Sequence, residues 1–321
     1  MAVYTLVSSK DLKNLLKEYN IGQLTKFIGI IEGVENSNYI LDTTTGKYIL
    51  PIFEKRINLK DMPYYLKLLN HLNKHNIKCP LPIKRNDGAY LSNIQNKNAS
   101  IFTYLDGCWS SKPNTKQCEL LGTALANLHN AGKDFYLKRK NNFGNYYWES
   151  IVLKTSSNAE SLQNNLYMEI VLTTKNIVSK WPKNLPKGNI HADLFPDNVF
   201  FKNNKISGII DFYFSCTDFY AYDLAVCINS WCFDKNVNLN LNKLSILLNS
   251  YNTVRPLIKS EIQALPILMA GASLRFFLTR LMDYSLDTKN INVKTKDPKE
   301  YLNKLRYHIN TSLPNVYGAF R

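Results

Sequence analysis

The residues best placed to do chemistry are His191-Ala192-Asp193-Leu194-Phe195-Pro196-Asp197-Asn198, followed by Ile209-Ile210-Asp211-Phe212. The first string has the form H-x-D-x-x-x-x-N, and the second is an apolar strand ending in Asp-Phe. Together they suit phosphoryl transfer, which needs an attacking hydroxyl held in line and the phosphate charge neutralised. In this reading Asp193 accepts or orients the proton of the hydroxyl. Asn198 and Asp211 supply hard oxygen ligands of the kind Mg²⁺ prefers, with phosphates and water completing its shell.

These side chains need elements that bring them together. Val199-Phe200-Phe201 and Ile206-Ser207-Gly208-Ile209-Ile210 flank Lys202-Asn203-Asn204-Lys205, which reads as a β-hairpin around an Asn-Asn turn. Antiparallel pairing would set the hairpin ends, Asn198 and Asp211, side by side on one metal ion. Pro196 suits a rigid loop. Taken singly the residues have plainer readings. His191 serves as a loop organiser, and Asp211 alone could cap a turn at a strand end.

The 321 residues suffice for one large domain or two with substantial cores, and a hydrophobic share of 45% excludes a disordered chain. No uninterrupted apolar run approaches the roughly eighteen residues that span a bilayer, and the N-terminal stretch lacks the form of a signal peptide. No membrane partner is therefore expected. Six cysteines stand without C-x-x-C or zinc spacing and read as the thiols of a reducing cytoplasm. The net charge of +15 is dispersed, with Lys138-Arg139-Lys140 its one tight cluster and no nucleic-acid motif beside it. An AT-rich codon bias explains the abundance of Lys, Asn and Ile better than a nucleic-acid partner does.

Apolar spacing predicts an opening helix over Ser9–Asn20, capped by Ser8 or Ser9. A β-hairpin is predicted over Phe27–Phe53, a helix from Asp61 as cap to His75, and short strands at 89–91 and 99–104. Further helices are predicted at Gln117–Ala131, Ser161–Lys180, 220–233, 239–252 and 262–284. Gly33, Asn36, Ser37 and Asn38 lie where small residues could let backbone amides approach phosphate. The expected architecture is α+β: a β-rich N-lobe over 1–105 covering the nucleotide, and a mainly helical C-lobe over 106–321 carrying the catalytic loop.

The chain resembles the aminoglycoside phosphotransferase and choline kinase superfamily, relatives of the protein kinases, over nearly its whole length. The resemblance is carried by the catalytic strings and by Phe102-Thr103-Tyr104-Leu105-Asp106-Gly107, Leu121-Gly122-Thr123-Ala124-Leu125-Ala126-Asn127-Leu128-His129 and Tyr222-Asp223-Leu224-Ala225. It implies a two-lobed protein-kinase-like fold and a hinge at Tyr104 and Leu105 whose backbone meets adenine. It also implies ATP and Mg²⁺ as cofactors and a brace for the catalytic lobe at 222–225. Glu32–Tyr39, Asp211–Cys216, Tyr222–Cys232 and Leu274–Leu281 are similar to the homoserine kinase branch, which implies ATP-dependent phosphorylation of the L-homoserine hydroxyl, on the route to threonine. The sequence departs from the kinase pattern where a third-strand Lys and a helix Glu are usual. Pro51 stands near the Lys position, and the helix from Asp61 has no Glu. Lys47 or Lys55 could substitute, or backbone amides and Mg²⁺ could carry the phosphates.

A small zwitterion such as homoserine calls for an Arg at its carboxylate and an acid or carbonyls at its ammonium. Arg275 and Arg280, five apart on one helix, point about 140° apart, so one at most faces a given pocket; Arg275 is favoured as the substrate-binding residue. Asp197 and Asp218 are alternative ammonium partners. Two other functions stay open. One is a sister kinase for choline, an aminoglycoside or a sugar, with Tyr213, Tyr220, Tyr222 and Trp231 as a choline cage. The other is a catalytically silent nucleotide-binding protein.

Overall fold

The computed structural model describes residues 4–30, 36–54, 59–284 and 296–311. They divide into two compact units, one running through Gly107 and including Ser207–Tyr213, the other holding most of the remainder.

The first unit opens with α1 (Ser9–Leu16), shorter than the predicted Ser9–Asn20. Ser8 caps it in a reciprocal box with Asp11, and Leu12, Leu15 and Leu16 are buried. Strands β1 (Leu24–Ile30), β2 (Asn36–Thr43) and β3 (Gly46–Phe53) form an antiparallel meander. The helix α2 (Met62–Lys74) follows, and Asp61 gives it no side-chain cap, contrary to the sequence reading. Asp61 has a helical backbone and belongs to a preceding 3-10 turn, while Pro63 occupies the first helical turn. The next strands are β4 (Ser92–Ile94), β5 (Lys97–Ala99) and β6 (Phe102–Thr103). They are displaced from the predicted positions because Gln95 and Asn96 both take left-handed conformations and make the turn there. The sheet runs β1-β2-β3-β5-β4, with β6 also on β3.

Alternation along β2 and β3 sorts their side chains into two faces. Tyr39, Leu41, Leu50 and Ile52 join Leu12, Leu15 and Leu16 of α1 in one core. The register pairs Ser37 with Ile52 and Asn38 with Pro51, so Ser37 shares the α1 face and Asn36, Asn38, Pro51 and Phe53 share the other.

The second unit is mainly helical. Its elements are α3 (Thr115–Ala131), α4 (Asn145–Lys154), α5 (Ser156–Leu162), α6 (Leu166–Ser179), β7 (Lys187–Ile190), β8 (Val199–Lys202), the start of β9 (Lys205–Ile209), β10 (Cys216–Phe219), α7 (Tyr220–Trp231), α8 (Leu241–Val254), α9 (Lys259–Met282) and α10 (Pro298–Asn310). The single helix predicted over Ser161–Lys180 is instead α5 and α6. Asn165 takes a left-handed conformation at the start of α6 and breaks the run. Strands β8 and β9 pair through left-handed Asn203 and Asn204, as the Asn-Asn spacing predicts.

Helices α7 and α9 are buried on nearly every side, so neither shows a clean apolar stripe. Among the described residues α9 alone is long and apolar enough to cross a membrane, yet it is largely buried inside the protein. The close approach of α3 and α8 depends on Gly122, where a Cβ would lie 2.3 Å from the Leu247 carbonyl. The cysteines are free thiols, all buried except Cys108.

Candidate active site

Strand β7 delivers the chain to His191, and two successive backbone N–H groups then turn onto one carboxylate. His191 N donates to Asp223 Oδ2 and Ala192 N to Asp223 Oδ1, each at 2.8 Å. Ala192 takes a left-handed φ of 64° to make this turn, a conformation that costs energy and persists only when its surroundings enforce it. Asp223 lies in α7 and is fully buried. Burial pushes its carboxyl up, but the hydrogen bonds from His129 and from the backbone N–H of His191 outweigh this and hold it below the usual range.

The network continues away from the loop. His129 Nε2 meets Asp223 Oδ2 at 3.1 Å and His129 Nδ1 meets the Tyr251 hydroxyl at 2.7 Å. Burial lowers the His129 pKa further than Asp223 raises it. A neutral imidazole fits: Nε2–H donates to Asp223, and Nδ1 accepts from Tyr251. Arg255 donates to the Tyr251 oxygen at 3.2 Å and to Glu261 at 2.9 Å. The Asp193 loop is thereby fastened to α3, α7 and α8.

Beyond Ala192 the loop closes on itself. Phe195 N donates to Asp193 O at 2.8 Å, and Asn198 N to Phe195 O at 3.0 Å. Asn198 Nδ2 donates to Asp193 O at 2.8 Å, which fixes the amide and leaves its Oδ1 as an available hard oxygen. Trp231 Nε1 holds the Leu194 carbonyl at 2.9 Å. His191 is fully buried, and its Nδ1 accepts from Asp193 N at 3.3 Å, as expected of a loop organiser.

Arg275 reaches the loop from α9. Its Nη1 donates to the Ala192 carbonyl at 3.0 Å and lies 3.5 Å from Asp193 Oδ1. The guanidinium stacks 3.8 Å from the Phe276 ring centroid, with the Phe143 and Phe214 rings each at 5.3 Å. Arg280 turns to α10 instead, bonding the Asp297 carbonyl at 2.9 Å and Glu300 at 2.7 Å. The two arginines thus diverge as helical spacing requires. Asp197 is an exposed residue 3.5 Å from Lys296, whereas Asp218 is half-buried beside Asn141.

Within the first unit, Asp211 takes a left-handed φ of 64°. Two residues on, Tyr213 packs edge-on against Phe53 at 6.0 Å and Tyr65 at 5.7 Å. Phe53 shares its sheet face with Asn36, Asn38 and Pro51, so this is the face turned toward the Asp211 segment. Ser37 is turned the other way. Its hydroxyl accepts from the backbone N–H of Tyr4 and Thr5 and donates to Glu54 Oε1. Gly33 and Lys55 lie outside the described residues. Tyr104 N donates to the Lys47 carbonyl at 3.3 Å, and the Leu105 side chain packs against Gly208.

Lys47 sits at the far end of β3 and pairs with Asp42 at 3.7 Å. The first unit does contain an ion pair, Lys97 with Glu54. Glu54 shares its contacts with Ser37 and Thr5, however, which puts the pair on the α1 face and away from Asn36 and Asn38.

Sequence reasoning missed Asn141, Phe143 and Phe214 around Arg275. The only signal was an Asn two residues before an aromatic ahead of a helix, which is common in ordinary turns.

The model of the phosphotransferase enzyme family matches residues 26–257. The chain belongs to this family. Its similarity extends beyond that span. A homoserine kinase of Sinorhizobium fredii (strain NBRC 101917 / NGR234) is 47% identical over 321 residues, covering 100% of this chain and 98% of the relative. A homoserine kinase of Rhizobium meliloti (strain 1021) is likewise 47% identical with the same coverage. Among solved structures, an amicoumacin kinase in complex with AMP-PNP and Ca²⁺ superposes with a TM-score of 0.71 at 15% identity, covering 95% of this chain and 92% of that one. A choline kinase from Cryptosporidium parvum superposes with a TM-score of 0.65 at 16% identity, covering 94% of each chain. At these identities the structures establish the α+β protein-kinase-like fold and no more.

Proposed function

We infer that this protein transfers the terminal phosphoryl group of ATP to the side-chain hydroxyl of L-homoserine. The observation that carries the inference is the full-length 47% identity to homoserine kinases, and the closed Asp193 loop supports it. Asp193 is the catalytic residue and orients the substrate hydroxyl toward the phosphate. Arg275 fixes the direction of the Asp193 carboxylate and the carbonyl before it. In this reading Arg275 is a positioning residue, and the substrate-carboxylate role expected from the sequence passes to other groups.

Asn198 and Asp211 are the proposed Mg²⁺ ligands. One amide oxygen and one carboxylate suit an ion that keeps several waters and phosphate oxygens. When bound, Mg²⁺ neutralises phosphate charge as the transferring group develops it. Asn36 and Asn38 on the sheet face beside Phe53, with the Tyr104 and Leu105 backbone, are the proposed nucleotide contacts. Ser37 is left out, since its side chain faces α1.

A choline cage from Tyr213, Tyr220, Tyr222 and Trp231 finds no support. Tyr220, Tyr222 and Trp231 are buried. Tyr220 stacks under Arg255 and Trp231 is bonded to Leu194. Tyr213 packs against Phe53 and Tyr65. ADP release measured with Mg-ATP and L-homoserine, choline or kanamycin tests the reading. Homoserine alone should stimulate release, and stimulation by choline or kanamycin in its place would overturn it.

A further inference from the structure

Asp218 stands on β10 opposite Gly188 of β7, close to the start of the catalytic loop. Its Oδ2 accepts from Asn141 Nδ2 at 2.7 Å and its Oδ1 from Phe219 N at 2.8 Å. Neither hydrogen-bond partner carries charge, and the Lys187 cation acts on this half-buried carboxylate less than burial or either hydrogen bond does. Burial pushes its carboxyl above the usual range, and the Asn141 bond draws it back only in part.

Asn141 connects this carboxylate to the catalytic centre. Its Oδ1 accepts from Phe143 N at 2.9 Å. The Phe143 ring lies 5.8 Å from that of Phe214, and both flank the Arg275 guanidinium. Arg275 in turn touches Asp193. A chain of contacts through Asn141, Phe143 and Arg275 therefore links Asp218 to Asp193. Two hydroxyls of the same neighbourhood, Tyr222 and Ser215, are buried without a hydrogen-bond partner. Arg275 and Asp218 both act electrostatically on Tyr222. Unsatisfied buried hydroxyls beside a carboxylate whose hydrogen bonds come only from neutral donors are what a small polar cation would complete.

We propose that Asp218, set in place by Asn141, recognises the α-ammonium group of the substrate and so selects an amino acid over other primary alcohols. This rests on the homoserine reading above. The sign of the charge decides which end of the zwitterion comes here. Asp197, the other acid considered from the sequence, is excluded by its exposed position beside Lys296.

The test removes the ammonium from the substrate and the carboxylate from the enzyme, singly and together. L-homoserine and 4-hydroxybutyrate, its des-amino analogue, are compared on the wild type and on Asp218→Asn, using kcat/KM or Ki where turnover is slow. In Asp218→Asn the homoserine kcat/KM should fall about 100-fold, chiefly through KM, which corresponds to the loss of one charge-assisted contact. The analogue should change less than about 3-fold, and the KM for ATP should hold. Equal loss on both substrates, or no loss on homoserine, would overturn the proposal. Should Asp218→Asn fail to fold, Asn141→Ala keeps the carboxylate and frees its orientation. It should raise the homoserine KM about 10-fold and spare the analogue; equal effects on both would again overturn the proposal. A wild type that phosphorylates choline or kanamycin but not homoserine would sink the functional reading itself, a result distinct from either of these.

Discussion

Arg275 Nη1 stands 3.5 Å from Asp193 Oδ1 while donating to the carbonyl of Ala192 at 3.0 Å. One buried guanidinium therefore holds both the proposed catalytic carboxylate and the left-handed residue that aims it. Lysine cannot reproduce a planar fork that also stacks on Phe276. Arg275→Lys should lower kcat about 10-fold and Arg275→Met about 100-fold, with the KM for ATP unchanged. Steady-state kinetics with a melting curve for each variant check this. An unchanged kcat in Arg275→Met would remove the positioning role.

Asn198 ties the loop shut through Nδ2 and is proposed to offer Oδ1 to Mg²⁺. Asn198→Ala should raise the Mg²⁺ concentration for half-maximal rate by about 10-fold or more, the scale seen when supports of a metal site are lost. Titration of activity against Mg²⁺ at saturating ATP reads this directly. An unaltered midpoint with a lowered plateau would leave Asn198 only its loop-closing bond.

Gly122 sets the packing of α3 on α8. A Cβ there would meet Ser250 Oγ at 2.1 Å, Leu247 O at 2.3 Å and Tyr251 N at 3.0 Å. Alanine gains about 1 kcal/mol of helix propensity at such a site. Forcing two backbones apart costs about 3 kcal/mol, so overpacking wins. Gly122→Ala should therefore lower Tm by roughly 5 °C, read by calorimetry. A Tm at or above that of the wild type would contradict this packing.

His308 on α10 is buried, and burial drives its pKa down to about 3. Its Nε2 meets Asn229 Oδ1 at 2.8 Å, and Lys304 adds a smaller lowering effect. A histidine depressed below its unfolded value of about 6.5 contributes its full stability above that pH and loses it as pH falls toward 3. At pH 5 the loss should approach about 2 kcal/mol. Denaturant unfolding at pH 7.5 and 5.0 should show His308→Gln losing less on acidification than the wild type. Equal losses would count against a neutral buried His308.

The proposed chemistry rests on residues that lie close together in the chain. His191, Asp193 and Asn198 lie within one loop, and Asp211 follows two residues after the end of β9. Regular spacing likewise predicted α3 and α7 to within a few residues. What the sequence hid was sidedness and long-range contact. Ser37 looks like a phosphate contact until β2–β3 alternation turns it onto the α1 face. The Asp218–Asn141 bond joins residues far apart in the chain, and no periodicity reports such a pair. Helical spacing predicted that Arg275 and Arg280 diverge, but α9 is buried all round, so only its packing shows which neighbours each one serves.

The central claim is that Asp193 directs the homoserine hydroxyl onto ATP. Phosphorus NMR of wild type and Asp193→Asn with Mg-ATP and L-homoserine tests it most directly. The wild type should accumulate the phosphomonoester O-phospho-L-homoserine in step with ADP. Asp193→Asn should form it about 100-fold or more slowly while still binding nucleotide. A wild type that forms no phosphomonoester from homoserine, or an Asp193→Asn variant that forms it at near-normal rate, would contradict the account.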